Sequence, residues 1–365
     1  MRSFQSKRPV SRQTRVASVA VALVLATASC SKGDESAAGD TAPSTTSTTA
    51  TATEANATSG LVDVEVASGV VPIKASRNGT LPALPAGAQP RRIPVDGHDL
   101  FTIEIPGEGP PVVLLHGFPD NLHLYDRLYP LLTGRRVIAF DFMGWGRSDK
   151  PAPSDFRYTT AAQVDQLQAV LDAYDVTNAT MVIHDQSVPV GLEFLRTEST
   201  ERLGKVVLLN GFYAPSPHLT PPKGIEFHAD PALQPVELAI EADPDAVEAF
   251  FRFQMNEFIV KVPQEVEQQA IDTLWSQFPE ARPAFIAMND ELLVDVARRA
   301  ATVDELRSVT LPVAIVYGAR DPYLRPGTAL EFHDIFENST LTLIPDAGHF
   351  VQIDDPEAVA EAIGE

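Results

Sequence analysis

Cysteine is nearly absent from these 365 residues, with Cys30 alone. A single thiol excludes any disulfide within the chain. Positive charge is also scarce, with 28 Lys and Arg against 49 Asp and Glu and a formal net charge of −21. Binding phosphates takes clustered Lys and Arg, so nucleic acid is excluded as a partner. Acidity of this kind keeps a protein soluble. No apolar run reaches the roughly 20 residues that a membrane-spanning helix needs. No metal-ligand cluster, phosphate-binding glycine loop or internal repeat is evident, so neither a metal nor another cofactor is implied.

What is present is apolar content, at 44% of residues. That suffices for a large core, or a core with a subdomain. The N-terminus has a pattern of its own. Arg2, Lys7, Arg8, Arg12 and Arg15 form a basic leader, followed by an apolar run over 16–28 and then Ser29-Cys30. Basic leader, short apolar run and small residues make a secretory signal. Thr27-Ala28-Ser29-Cys30 resembles a bacterial lipobox. The resemblance implies that Cys30 is lipidated, so that the protein is exported and anchored facing outward on the cell membrane. The alternative is an ordinary signal cut nearby and a secreted protein. Residues 31–60 are rich in Ser, Thr and Ala. They cannot bury enough apolar surface to fold, and read as a disordered tether.

Strand and helix patterns alternate further on. Residues 100–105 have strand character, and 112–115 and 136–140 are short apolar runs of the kind covered on both faces of a sheet. Residues 160–174 carry Val164, Leu167, Val170 and Leu171 on one helical face. A strand at 180–183, a helix at 190–197 and a strand at 205–209 follow, and strands resume at 312–317 and 341–344. The fold class is therefore α/β, a mostly parallel sheet with helices on both faces. The expected core comprises 61–211 and 305–365. The interruption at 212–304, with helical stretches at 245–253, 264–274 and 291–300, reads as an inserted helical cap, the alternative being an independent domain.

Three residues carry the candidate chemistry. Asp185 follows the apolar run Met181-Val182-Ile183 and precedes a helical pattern. A sharp strand-to-helix turn there exposes its side chain at the carboxyl edge of the sheet. The helix N-terminus favours the ionised form. Alternatively Asp185 is only an N-cap, or Ser187 is the nucleophile. His349, in Asp346-Ala347-Gly348-His349-Phe350, is the candidate base. Asp321, after the strand at 312–317, would orient it. His116-Gly117-Phe118-Pro119 follows a buried strand, and the N–H groups of Phe118 and Gln186 are the candidate oxyanion hole. Asp141 reads as structural, tying down a loop. His116, Tyr213 and Trp275 are weak candidates for the substrate pocket.

Nucleophile, acid, histidine is the chain order of the α/β-hydrolases. Residues 110–200 and 311–357 resemble the epoxide hydrolase and haloalkane dehalogenase branch of that superfamily. His116-Gly117-Phe118-Pro119 is similar to the epoxide hydrolase oxyanion segment. Gly144-Trp145-Gly146-Arg147-Ser148-Asp149-Lys150-Pro151 and Asp346-Ala347-Gly348-His349-Phe350-Val351-Gln352 are similar to dehalogenase segments. The resemblance implies an aspartate nucleophile, a covalent alkyl-enzyme ester and a small apolar organic substrate. It also shows departures. Dehalogenases place a halide-holding tryptophan where this chain has Gln186. Epoxide hydrolases use two cap tyrosines, and this cap offers only Tyr213. Fluoroacetate dehalogenases share a segment like Phe118-Pro119-Asp120-Asn121-Leu122-His123, but 186–191 lack the arginines that hold their substrate's carboxylate. Epoxide hydrolysis ranks first and haloalkane dehalogenation second. A serine esterase acting through Ser187 and a non-catalytic binding protein remain as alternatives.

Overall fold

The computed structural model describes residues 80–364 apart from 199, 230 and 231. The leader, Cys30 and the 31–60 tether lie outside the described residues. Eight strands form one sheet: β1 (Gln89–Val95), β2 (His98–Ile105), β3 (Glu108–Leu115), β4 (Arg135–Asp141), β5 (Ala179–Asp185), β6 (Leu203–Gly211), β7 (Val313–Gly318) and β8 (Ser339–Ile344), in the order β1-β2-β4-β3-β5-β6-β7-β8. β1 and β2 pair antiparallel, as do β2 and β4, and every pair from β4 to β8 is parallel.

The two-residue strand period explains why the central runs are wholly apolar. On β3, Val113 and Leu115 enter the core on one face of the sheet, and Val112 and Leu114 the core on the other. β5 repeats this, with Met181 and Ile183 on the first side and Val182 on the second. The first side is closed by α1 (Thr160–Ala173), through Val164, Leu167, Val170 and Leu171, and by α2 (Ser187–Thr197), through Leu192 and Phe194.

Between β6 and β7 the chain leaves the sheet for four helices, α3 (Lys223–Ala229), α4 (Gln234–Glu241), α5 (Pro244–Asn256) and α6 (Gln264–Arg299). α6 differs from expectation. It spans 36 residues without a break, joining the two stretches expected at 264–274 and 291–300. Pro279 and Pro283 lie inside it, and both are exposed. Four residues apart, they share the solvent face, where water can satisfy the carbonyls that lose a partner. The second core is closed by α8 (Val351–Asp354) and α9 (Pro356–Gly364), which follow β8 as α7 (Pro326–Ile335) follows β7.

β4 and β5 flank β3 on opposite sides, so the chain reverses its direction of travel across the sheet at β3. Crevices at such switch points, beyond the carboxyl ends of the strands, are where open α/β sheets bind ligands.

Candidate active site

Asp185 is the last residue of β5 and has φ +51°. A non-glycine residue rarely adopts this left-handed conformation, and it turns the carboxylate out of the strand. Gln186 is already helical, and α2 begins at Ser187. Ile183 and Val188 are bulky for so tight a turn, and two glycines make room for them. A Cβ on Gly191 would lie 2.8 Å from Ile183 Cγ2, and one on Gly211 would lie 2.2 Å from Val188 Cγ2. Ser187 closes the turn. Its Oγ accepts from the His184 N–H at 2.8 Å and lies 3.0 Å from the Leu115 carbonyl oxygen. That hydroxyl is fully buried and does not line the cavity beside Asp185. Its bonds are to the backbone of the turn and of β3.

The Phe118 N–H donates to Asp185 Oδ1 at 3.2 Å, and the Gln186 N–H also acts on the carboxylate. The other oxygen, Oδ2, lies 3.7 Å from His349 Nε2. His349 Nδ1 lies 2.7 Å from Asp321 Oδ2. The three residues chosen from sequence are thus brought together, with Phe118 and Gln186 beside them. Burial pushes the Asp185 carboxyl up, opposed by the His349 charge and the two N–H groups. Burial would lower the His349 pKa, but the charges of Asp321 and Asp185 prevail and raise it.

The supporting groups are ones that sequence reasoning did not find. Asp321 Oδ1 accepts from the N–H groups of Tyr323 and Leu324, both at 2.9 Å. Its Oδ2 also accepts from Asn210 Nδ2 at 2.9 Å, while Asn210 Oδ1 accepts from the Gly318 N–H at 2.7 Å. Asn210 occupies the place after β6 where an alternative acid could have stood, and it anchors Asp321 instead. Asp354 accepts from the Gly348 N–H at 2.7 Å and from the Lys261 N–H at 2.9 Å, tying the histidine loop to the segment between α5 and α6.

Asp120 is a third carboxylate at the site, 1% exposed. Its Oδ2 is 3.8 Å from His184 Nδ1, and neither oxygen has a hydrogen-bond partner of normal geometry. Burial and the Asp185 charge push it up to about 8. The His184 ring in turn lies 4.7 Å from that of His349, tilted by 57°, and its Nε2 is 3.1 Å from the His349 carbonyl oxygen. Asp120 could have been noticed as an acid directly after the buried segment 112–119. Asp141 accepts from the N–H groups of Leu122 and Arg147, fixing the loop after β4.

Asp185 and His349 open onto a cavity of about 710 Å³, counting its mouth. The helices between β6 and β7 supply Met255, Phe285, Leu292 and Val296 to its wall, with Phe118 after β3 and Phe212 just after β6. Its polar groups besides Asp185 and His349 include Gln254, Thr220 and Tyr323. Gln254 Oε1 accepts from the Gly224 N–H at 2.9 Å, which fixes the amide.

The three pocket candidates are corrected. His116 is fully buried, its Nε2 accepting from the Phe142 N–H at 3.0 Å. The Tyr213 hydroxyl is turned to Glu193 and Thr302, under the Arg299 guanidinium. Trp275 packs on Phe251 and Phe278. Each satisfies its own packing or hydrogen bonding elsewhere, and none lines the cavity. The side chain of Gln186 also points away, its amide 3.4 Å from Thr160 Oγ1, so only its backbone faces the site. Among the described residues, no group of three or more His, Cys, Asp or Glu is placed to hold a metal ion.

The α/β hydrolase fold family matches residues 110–356. The chain belongs to that family. This α/β hydrolase is 31% identical to a haloalkane dehalogenase of Psychrobacter cryohalolentis over 293 residues, 71% of this chain and 84% of the relative. It is 28% identical to a haloalkane dehalogenase of Mycobacterium marinum, over 71% of this chain and 85% of that one. The bromoperoxidase of Bacillus anthracis shares the fold, with a TM-score of 0.62 at 19% identity, covering 76% of this chain and all of the other. It is a hydrolase, on the haloalkane dehalogenase branch of the superfamily.

Proposed function

We propose that this hydrolase attacks carbon electrophiles through Asp185 and hydrolyses the resulting ester, with alkyl halides as the first substrate class. The observation that carries the reading is the pairing of a cavity-facing carboxylate, one oxygen on backbone N–H groups, with His349 and Asp321 behind it. Asp185 Oδ2 displaces halide from carbon and becomes a neutral ester oxygen. The negative charge that helped to hold the proton on His349 is then gone. The imidazole can release its proton and act as base. It takes a proton from water attacking the ester carbonyl carbon, while the Phe118 and Gln186 N–H groups receive the oxyanion. Collapse returns the Asp185 carboxylate and an alcohol, and over the cycle one proton and one halide leave.

Two observations set the order of substrates. The relatives bear the name haloalkane dehalogenase. The Tyr213 hydroxyl is committed to Glu193 and Thr302, away from the cavity. Epoxide opening stays as the second reading because Tyr323 lines the same cavity, although its hydroxyl donates to Glu257 and would have to leave it to protonate an epoxide oxygen. Halide release from bromoalkanes and diol formation from terminal epoxides, each measured with wild type and Asp185→Asn, test the reading. Asparagine tolerates the left-handed backbone, so the fold should survive. Undiminished turnover by Asp185→Asn would overturn it. Export and a lipid on Cys30 are proposed from the leader alone, and an unmodified Cys30 in membrane-fraction mass spectrometry would overturn the anchor.

A further inference from the structure

A second cavity of about 600 Å³, counting its open mouth, lies among the helices α3–α6 and Pro119, next to the one at Asp185. Its wall is largely aromatic. Phe227 of α3 and Phe250 of α5 stack at 5.4 Å, and Phe251 of α5 meets Phe278 of α6 at 4.6 Å. The charged groups on it are Glu237, Glu241 and Arg282, the last two paired at 3.1 Å. Pro119, Gln254, Met255 and Phe285 line both cavities. Residues shared in this way mean that a single layer of side chains stands between the two. Met255 belongs to that layer. It is unbranched, with three rotatable bonds, and can shift aside at little cost. Gln254 is less free, because the Gly224 N–H holds its Oε1.

The cap cavity takes no part in the chemistry at Asp185, yet it is apolar, roomy and adjacent. An apolar space next to a reacting centre gains free energy for each methylene placed in it. A branched or bulky group would have to displace several of the shared residues at once, whereas a single methylene chain needs only one side chain to move. We propose that the cap cavity is the tail site of the substrate, and that this hydrolase acts on electrophiles bearing a long unbranched alkyl chain. The reactive carbon lies at Asp185, and the tail passes Met255 into the space lined by Phe227, Phe250 and Phe251. The assignment rests on the carbon-electrophile reading above and names its substrate class.

Binding of 1-alkanols to the full chain, by calorimetry over the series from 1-butanol to 1-dodecanol, tests it without requiring turnover. Alcohols are the product class of the proposed reaction. Affinity should tighten about fourfold per added methylene and keep rising to 1-decanol or beyond. Val247→Phe narrows the cap cavity and not the one at Asp185. It should end the rise at a shorter alcohol while leaving 1-butanol within twofold of wild type. Tryptophan emission gives a second readout: Trp275 lies 5.3 Å from Phe251 and Trp145 6.2 Å from Phe118, so the long alcohols should change it beyond the change seen with 1-butanol. A wild-type series that stops rising by 1-hexanol, an unchanged series in Val247→Phe, or no binding of any alkanol would overturn the tail site. Should Val247→Phe fail to fold, the wild-type series and the tryptophan emission decide alone. A rising series without any ester on Asp185 would leave the tail site standing and sink the electrophile chemistry. An ester on Asp185 with a flat series would do the reverse.

Discussion

Replacing Asp120 by asparagine should change how stability responds to pH. The carboxyl is 1% exposed, and its ordinary value of 3.8 is pushed up to about 8, chiefly by burial and then by the Asp185 charge. In the folded chain the group keeps its proton up to about pH 8. In the unfolded chain it gives the proton up near pH 3.8. Between those limits the folded state binds the extra proton, so this group's contribution is full below the unfolded value and is lost as pH rises toward the folded one. The loss is about 1.4 kcal/mol per pH unit, or about 4 kcal/mol between pH 4 and pH 7. Asparagine has nearly the same shape and no proton to lose. It leaves a buried amide poorly partnered, so the variant can start less stable at pH 5. The slope is what tests the reasoning. Urea unfolding at pH 5, 6 and 7 should show Asp120→Asn gaining on wild type by about 3 kcal/mol over that range. A difference independent of pH, or one that moves against the variant as pH rises, would refute the burial argument.

Gly211→Ala should cost about 1–3 kcal/mol in thermal unfolding, because its Cβ would lie 2.2 Å from Val188 Cγ2 and 2.7 Å from Val188 Cβ; an unchanged midpoint would refute the close approach. Asp321→Asn should lower the His349 pKa in an NMR titration, because the Asp321 charge is the leading influence that raises it; an unmoved pKa would refute that. Asn210→Ala should cost about 1–3 kcal/mol in denaturant unfolding, since it strands the buried Gly318 N–H and takes a donor from Asp321; a loss below a few tenths would show that water replaces the amide.

The sheet was legible because its central strands are buried on both faces. Runs such as Val112-Val113-Leu114-Leu115 have no polar residue to confuse the pattern, and both core clusters draw on them. Asp185, His349 and Asp321 were legible because each lies at or just beyond the end of a strand, and the strand order sets them side by side. The hairpin strand β1 was not foreseen, because its outer residues Gln89, Arg91 and Arg92 are polar and exposed. α6 continues through the gap between the two expected stretches, and Pro279 and Pro283, which ordinarily end a helix, are tolerated there because both face solvent. The pocket was the least legible part. His116, Tyr213 and Trp275 are residue types that often line pockets, but whether a ring faces a cavity or a neighbour depends on contacts far along the chain. Gln254 and Met255 do line it, and nothing in their helical spacing separates them from the buried face of α5. The room for the bulk of Ile183 and Val188 comes from Gly191 and Gly211, and the second of these lies on another strand, where the sequence around Asp185 does not show it.

The most direct test is intact-mass analysis of the His349→Gln chain after incubation with bromoalkanes and, separately, with terminal epoxides. The substitution removes the base for ester hydrolysis and leaves the Asp185 carboxylate in place, so the first step should run and the second should stall. The predicted result is one alkyl adduct per chain, mapped to Asp185 by peptide sequencing and absent from Asp185→Asn, with the bromoalkanes responding. No adduct from either class, or an adduct on another residue while wild type turns the substrate over, would contradict the assignment of Asp185 as the nucleophile.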